Sequence, residues 1–161
     1  MTQKRPKGDV LANLDAADLR LRHVFALIPQ LKTTSVDFSC LYIYRRDTRQ
    51  MRLTAVQNNA QITEGTYSAL LPWIERHLSR DVNKAVYAPI LDVRDCELLG
   101  CIVYPLVSES GDVLGIFFFF YRQALIDPYA HVQELRYIAL YAQTILQNEQ
   151  FVSQLVFAQA V

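Results

Sequence analysis

Leu98-Leu99-Gly100-Cys101-Ile102-Val103-Tyr104-Pro105-Leu106 and Val113-Leu114-Gly115-Ile116-Phe117-Phe118-Phe119-Phe120-Tyr121 flank the polar stretch Ser108-Glu109-Ser110-Gly111-Asp112. Two apolar runs joined by a short Ser/Gly/Asp turn predict a β-hairpin. Both runs are apolar at successive positions, so neither face of either strand is meant for water. Such strands sit at the centre of a sheet covered on both sides. The four consecutive phenylalanines make the point most strongly, because left uncovered on one face they would be an aggregation hazard.

The remaining elements read outward from this hairpin. After it, Asp127-Pro128 starts a long helix reaching at least Ala158; proline is favoured in a first turn, where its missing N–H costs nothing. Before it, Lys84 to Pro89 is a short strand and residues 90–97 a loop or short helical turn. Glu64-Gly65-Thr66 reads as a break, with Thr66 or Ser68 capping a helix from about Tyr67 to Ser79 in which Pro72 is tolerable only near the first turn. Residues 37–45, DFSCLYIYR, and 51–57, MRLTAVQ, form a first hairpin around a polar turn at 46–50. The second of these alternates apolar and polar, as an edge-side strand with one wet face does. A first helix is capped by Asn13 or Asp15, carries Leu21, Val24, Phe25, Ile28 and Leu31 at helical spacing, and is bent or ended by Pro29. Residues 1–13 read as a flexible arm and 14–161 as one domain.

The expected class is α+β. A central antiparallel sheet of five to six strands has the N- and C-terminal helices on one face and a short helix and loop roof on the other. The chain has 161 residues, enough for one self-sufficient core. Its 52% hydrophobic content exceeds the usual share of roughly 45–50% and hints at a surface that buries something more.

Sixteen basic residues balance sixteen acidic ones, so no long-range field draws in nucleic acid or an anionic membrane. Arg45, Arg46, Arg49 and Arg52 cluster at the first hairpin turn, where a solvated loop accounts for them. The longest apolar run, Val113 to Tyr121, is far short of the roughly 20 residues of a membrane span. No signal peptide is legible, and three cysteines (Cys40, Cys96 and Cys101) without regular spacing point to reduced thiols and a cytoplasmic setting. His23, His77 and His131 lie on different elements, with no second ligand three or four residues away that would complete a site, so no metal is expected. Phosphate-binding glycine loops and a nucleophile elbow are both missing.

Tyr104-Pro105-Leu106-Val107 followed by Gly111-Asp112-Val113-Leu114-Gly115-Ile116 resembles the central hairpin of GAF domains, relatives of the PAS domains. Asp127-Pro128, Leu135, Ala139, Ala142 and Asn148 are similar to the closing helix of that family, and Glu64-Gly65 to its acidic-Gly step. The order of elements agrees over roughly residues 15–155. The resemblance implies a sensory or regulatory module without catalytic residues or cofactor, which binds a small ligand or docks a protein partner. It also implies that the chain is either the sensor portion of a larger regulator, such as a cyclic-dinucleotide enzyme or a transcription factor, or acts in trans.

Candidate residues follow. Tyr67, Trp73, Arg76, His77 and Tyr87 put aromatics and a cation beside the roofed face, and Tyr42, Tyr44 and Tyr104 offer hydroxyls from the sheet. The closing helix carries Leu135, Ile138, Ala142, Ile145, Glu149, Val152 and Val156 in alternating steps of three and four, an a/d seam. With Leu21, Val24, Phe25 and Ile28 of the first helix, this seam predicts a homodimer. Two other readings stand beside the sensor. GAF-type free-methionine sulfoxide reductases use cysteines near the central hairpin, where Cys96 and Cys101 lie, although the spacing and polar motifs of that group are missing. A scaffold that has lost its pocket would show a filled roofed face.

Overall fold

Phe117 to Phe120 lie in the central strand of a five-stranded, wholly antiparallel sheet of order β2-β1-β5-β4-β3. The computed structural model describes residues 19–31, 35–80 and 83–160, with side chains described within 21–148. The strands are β1 (Phe38–Arg45), β2 (Gln50–Asn58), β3 (Val86–Pro89), β4 (Gly100–Val107) and β5 (Val113–Tyr121). The helices are α1 (Leu19–Ala26), α2 (Glu64–Ser79) and α3 (Pro128–Ala160), and a 3-10 turn at Ile28–Gln30 follows α1. The expected arm at 1–13 and the capping residues Asn13 and Asp15 lie outside the described residues.

The two hairpins, β1-β2 and β4-β5, are joined by pairing β1 to β5, which sets Phe38 opposite Phe120 and Ile43 opposite Gly115. The long connection holding α2 and β3 crosses one face to make this possible. At Gly115 a Cβ would stand 2.6 Å from the Tyr42 carbonyl oxygen. The two central strands approach too closely there for a side chain. Gly111 has φ +91, the left-handed region a hairpin turn needs; the Ser108 N–H donates to the Asp112 carbonyl at 2.8 Å across the same turn.

Strand alternation divides the core in two. Phe117 and Phe119 point to the side covered by α1 and α3, with Leu41, Ile102, Leu106, Leu135, Ile138 and Ala142. Phe118 and Phe120 point to the other side, with Phe38, Tyr42, Val103, Leu70, Trp73 and Ile74. The ring pairs stack within each layer, Phe117 on Phe119 at 4.3 Å and Phe118 on Phe120 at 6.2 Å. All four rings are fully buried, which removes the aggregation hazard that the bare run implies.

Two local expectations are corrected. The middle helix begins at Glu64, not Tyr67, with Thr63 as its cap; the Thr63 hydroxyl accepts from the Thr66 N–H at 3.1 Å. Glu64 and Gly65 therefore sit in a first turn, where N–H groups need no partner within the helix and an acidic side chain suits the dipole. Pro72 consequently lies mid-helix. Proline there deprives the Ser68 carbonyl of its donor. Both residues are exposed, so water reaches the vacated carbonyl.

Candidate functional site

The roof begins at a polar anchor. The Asn58 side chain accepts from the Ile62 N–H and donates to the Ile62 carbonyl, both at 2.9 Å, turning the chain from β2 into α2. Helical spacing then brings Tyr67, Leu70, Trp73, Ile74 and His77 onto one buried stripe that lies on the sheet. Trp73 is 3% exposed, with its ring 5.8 Å from Phe120 and 4.0 Å from His77.

Side chains from roof and sheet pack together in this layer. The Tyr42 hydroxyl, rising from β1, meets the Tyr67 hydroxyl from α2 at 2.6 Å. Both rings are buried, and burial is the main cause that raises both phenols well above their ordinary range. His77 Nδ1 lies 2.9 Å from the Trp73 carbonyl, an acceptor, so this nitrogen carries the proton in the neutral ring. Burial first, then the guanidinium groups of Arg80 and Arg76, hold the imidazole below its ordinary value against the opposing pull of that hydrogen bond.

Of the expected pocket residues, Tyr42, Tyr67, Trp73 and His77 come together in the roof-side layer, where Tyr44, at the open end of β1, is 38% exposed. Tyr87 and Tyr104 are a correction. Both pack against the helix-side core, because alternation along β3 and β4 turns them away from the roof. The Tyr87 hydroxyl accepts from the Leu125 N–H at 3.3 Å, and its ring occupies the space a Cβ at Gly100 would need.

Arg76 leaves the layer and reaches outward. Its guanidinium donates to Asp92 Oδ2 at 2.7 Å, with both side chains about half exposed. That ion pair spans an open groove of about 660 Å³ between α2 and the segment after β3. Ala69, Pro72, the edge of Trp73 and Val93 form its apolar lining, and Glu75, Ser79 and Arg80 its polar rim. The sequence offers no signal for the groove. Arg76 and Asp92 are sixteen residues apart on different elements, and only the folded roof joins them.

The cysteines are unsuited to nucleophilic work as they stand. Cys40 and Cys101 are fully buried, and burial raises both thiols well above their ordinary range. Cys96 is partly buried and is also raised, chiefly by burial, with a hydrogen bond to the Leu98 backbone opposing. Among the described residues no group of three His, Cys, Asp or Glu side chains could hold a metal ion, and no helix is long and apolar enough to cross a membrane.

The expected dimer seam divides differently. Leu21, Val24, Phe25, Ile28, Leu135, Ile138 and Ala142 are buried in the chain's own helix-side core, and Ile145 packs at its margin. From Leu135 to Ile145 the a/d spacing on α3 is thus used to seat the helix on the sheet. Glu149 and Val152 lie outside the residues whose side chains are described. The face of α3 turned away from the core instead carries Tyr137, Leu140 and Tyr141, which are 77%, 44% and 46% exposed.

A five-stranded antiparallel sheet with terminal helices on one face and a crossing helix on the other is a GAF-like fold. The chain is similar to the GAF domain of a protein assigned as a sensor histidine kinase from Pseudomonas syringae pv. tomato, with a TM-score of 0.58 and 14% identity over 89% of this chain and 86% of that one. It is also similar to a GAF domain/HD domain protein from Geobacter sulfurreducens (0.55, 13%, 88% and 98%) and to the GAF domain of a two-component sensor histidine kinase from Bacillus halodurans (0.56, 13%, 86% and 99%). No family model matches the chain, and no curated protein matches it in sequence.

Proposed function

We propose that this chain is a non-catalytic regulatory module that works as a homodimer and reports through α3. The observation that carries the reading is the length of that helix. Thirty-three residues span about 50 Å, whereas the nine-residue central strand spans about 30 Å. The sheet cannot cover the whole helix, and among the described side chains Leu146 is the last α3 residue in the core. The sequence beyond it holds Phe151, Val152, Leu155, Val156 and Phe157, apolar residues that a second copy of the helix would cover. Tyr137, Leu140 and Tyr141 extend this candidate surface back along the domain. The two sensor-kinase neighbours support a signalling role through their shared fold.

Sedimentation equilibrium tests the assembly. A dimer at tens of micromolar that becomes a monomer when Tyr137 and Leu140 are both replaced by Glu supports it. A wild-type monomer under the same conditions sinks it.

A docking scaffold without a roofed pocket is a second reading, favoured by the side chains of Tyr42, Tyr67, Trp73 and Phe120 that pack together there. The alternative of a cysteine-based reductase gains no support from three thiols whose ionisation burial opposes.

A further inference from the structure

We infer that the groove between α2 and the Asp92–Val93 segment binds a small zwitterion of the α-amino-acid type, with an apolar side chain. At about 660 Å³ the groove falls within the usual size of small-molecule sites, roughly 300–1,000 Å³. Its charge composition selects the ligand class. Arg76 and Arg80 face Glu75 and Asp92 around one opening, two cations against two anions. A simple anion would gain from the arginines and lose as much to the carboxylates. A simple cation meets the converse.

An α-amino acid carries its carboxylate and its ammonium on one carbon. Arg76 and Asp92, paired at 2.7 Å, offer the two opposite charges such a ligand needs side by side. The ligand carboxylate would take Arg76, with Arg80 beside it, and the ammonium would take Asp92 or Glu75. Neither Glu75 nor Arg80 forms an ion pair with another described residue, so both keep their bonding capacity. Opening the Arg76–Asp92 bridge to admit the ligand is cheap, because a half-exposed ion pair is weak against water and salt. The remainder of the ligand would lie on Ala69, Pro72, Trp73 and Val93, an apolar floor that rewards an aliphatic or aromatic side chain. Binding would tie α2 to the segment after β3.

Trp73 is the only tryptophan in the chain and borders the groove, so its emission reports occupancy directly. The experiment titrates the full chain with L-leucine, with 4-methylpentanoate, which lacks the ammonium, and with isopentylamine, which lacks the carboxylate. Calorimetry runs in parallel. L-Leucine is expected to give a saturable change in Trp73 emission, and each analogue to bind at least about tenfold more weakly, a difference of about 1.4 kcal/mol. Arg76→Gln and Asp92→Asn should each reproduce a loss of that size, and Ala69→Phe, which fills the exposed floor, should abolish binding in a chain that still unfolds cooperatively. The inference is overturned if neither L-leucine nor L-phenylalanine gives a saturable signal by either method up to roughly 10 mM, weaker than any useful affinity. It is equally overturned if 4-methylpentanoate binds as tightly as L-leucine, or if binding survives Ala69→Phe.

Discussion

The hydroxyls of Tyr42 and Tyr67 meet at 2.6 Å in a buried layer, one on the sheet and one on the roof. Each is the other's partner, and that reciprocity governs what happens when one is removed. Tyr67→Phe leaves the Tyr42 hydroxyl buried and unpaired, at a cost of about 1–3 kcal/mol, and Tyr42→Phe does the same to Tyr67. The double variant, with no orphan, should lie closer to wild type than the sum of the two. Denaturant unfolding of the four proteins closes the cycle; strict additivity would show that the two hydroxyls do not interact.

His77 makes stability depend on pH. Its imidazole is held below the unfolded value of about 6.5, so the unfolded chain binds the proton more readily. The contribution of the neutral ring is therefore present above pH 6.5, falls as pH drops through that value, and levels off below the folded pKa. His77→Leu should flatten the stability profile between about pH 7 and 5 relative to wild type, as read from urea midpoints. An unchanged slope would mean that His77 is not what senses pH in this range.

Gly115 allows the closest approach of the central strands. Gly115→Ala puts a methyl group 2.6 Å from the Tyr42 carbonyl oxygen, which is backbone and cannot swing aside. A loss of about 1–3 kcal/mol is expected. The melting temperature should fall by several degrees, roughly 2–8 °C for that range in a chain of this size. Gly111→Ala offers a comparison, since no atom crowds that position and only its φ of +91 opposes the change.

Arg122 ties three loops at one end of the sheet. Its N–H donates to Asp37 Oδ2 at 2.7 Å, and its guanidinium donates to the Ala60 carbonyl and to Glu97, both at 2.9 Å. The Arg122–Glu97 pair is exposed, so Arg122→Ala should cost little global stability, on the order of 1 kcal/mol. Local opening should increase instead. Amide exchange is expected to quicken around residues 58–62 and 95–99 while the β5 core stays protected.

The difference between what was legible and what was not follows the range of the interactions. Phe117 to Phe120 announced a doubly covered central strand because apolarity at successive positions has no other stable outcome in water. The start of α2 was misread because Gly65 in a first turn and Gly65 in a break look alike without the Thr63 hydroxyl to tell them apart. The seam on α3 is real as a period, and over Leu135, Ile138 and Ala142 the chain's own sheet takes it. A helix seated on a sheet and a helix seated on another helix need the same spacing of apolar residues, and only the packing says which neighbour took Leu135, Ile138 and Ala142.

By itself, then, the sequence determined the order of elements, the central hairpin and the length of the closing helix. Each of these rests on periodicity and turn chemistry, which act between residues a few positions apart. The tertiary structure decided which face each tyrosine serves. It turned Tyr87 and Tyr104 away from the roof, joined Tyr42 to Tyr67, and set Arg76 beside Asp92 across a groove. Those outcomes depend on how β1 meets β5 and how α2 lies across the sheet, contacts between distant segments whose geometry is settled only when the whole core packs.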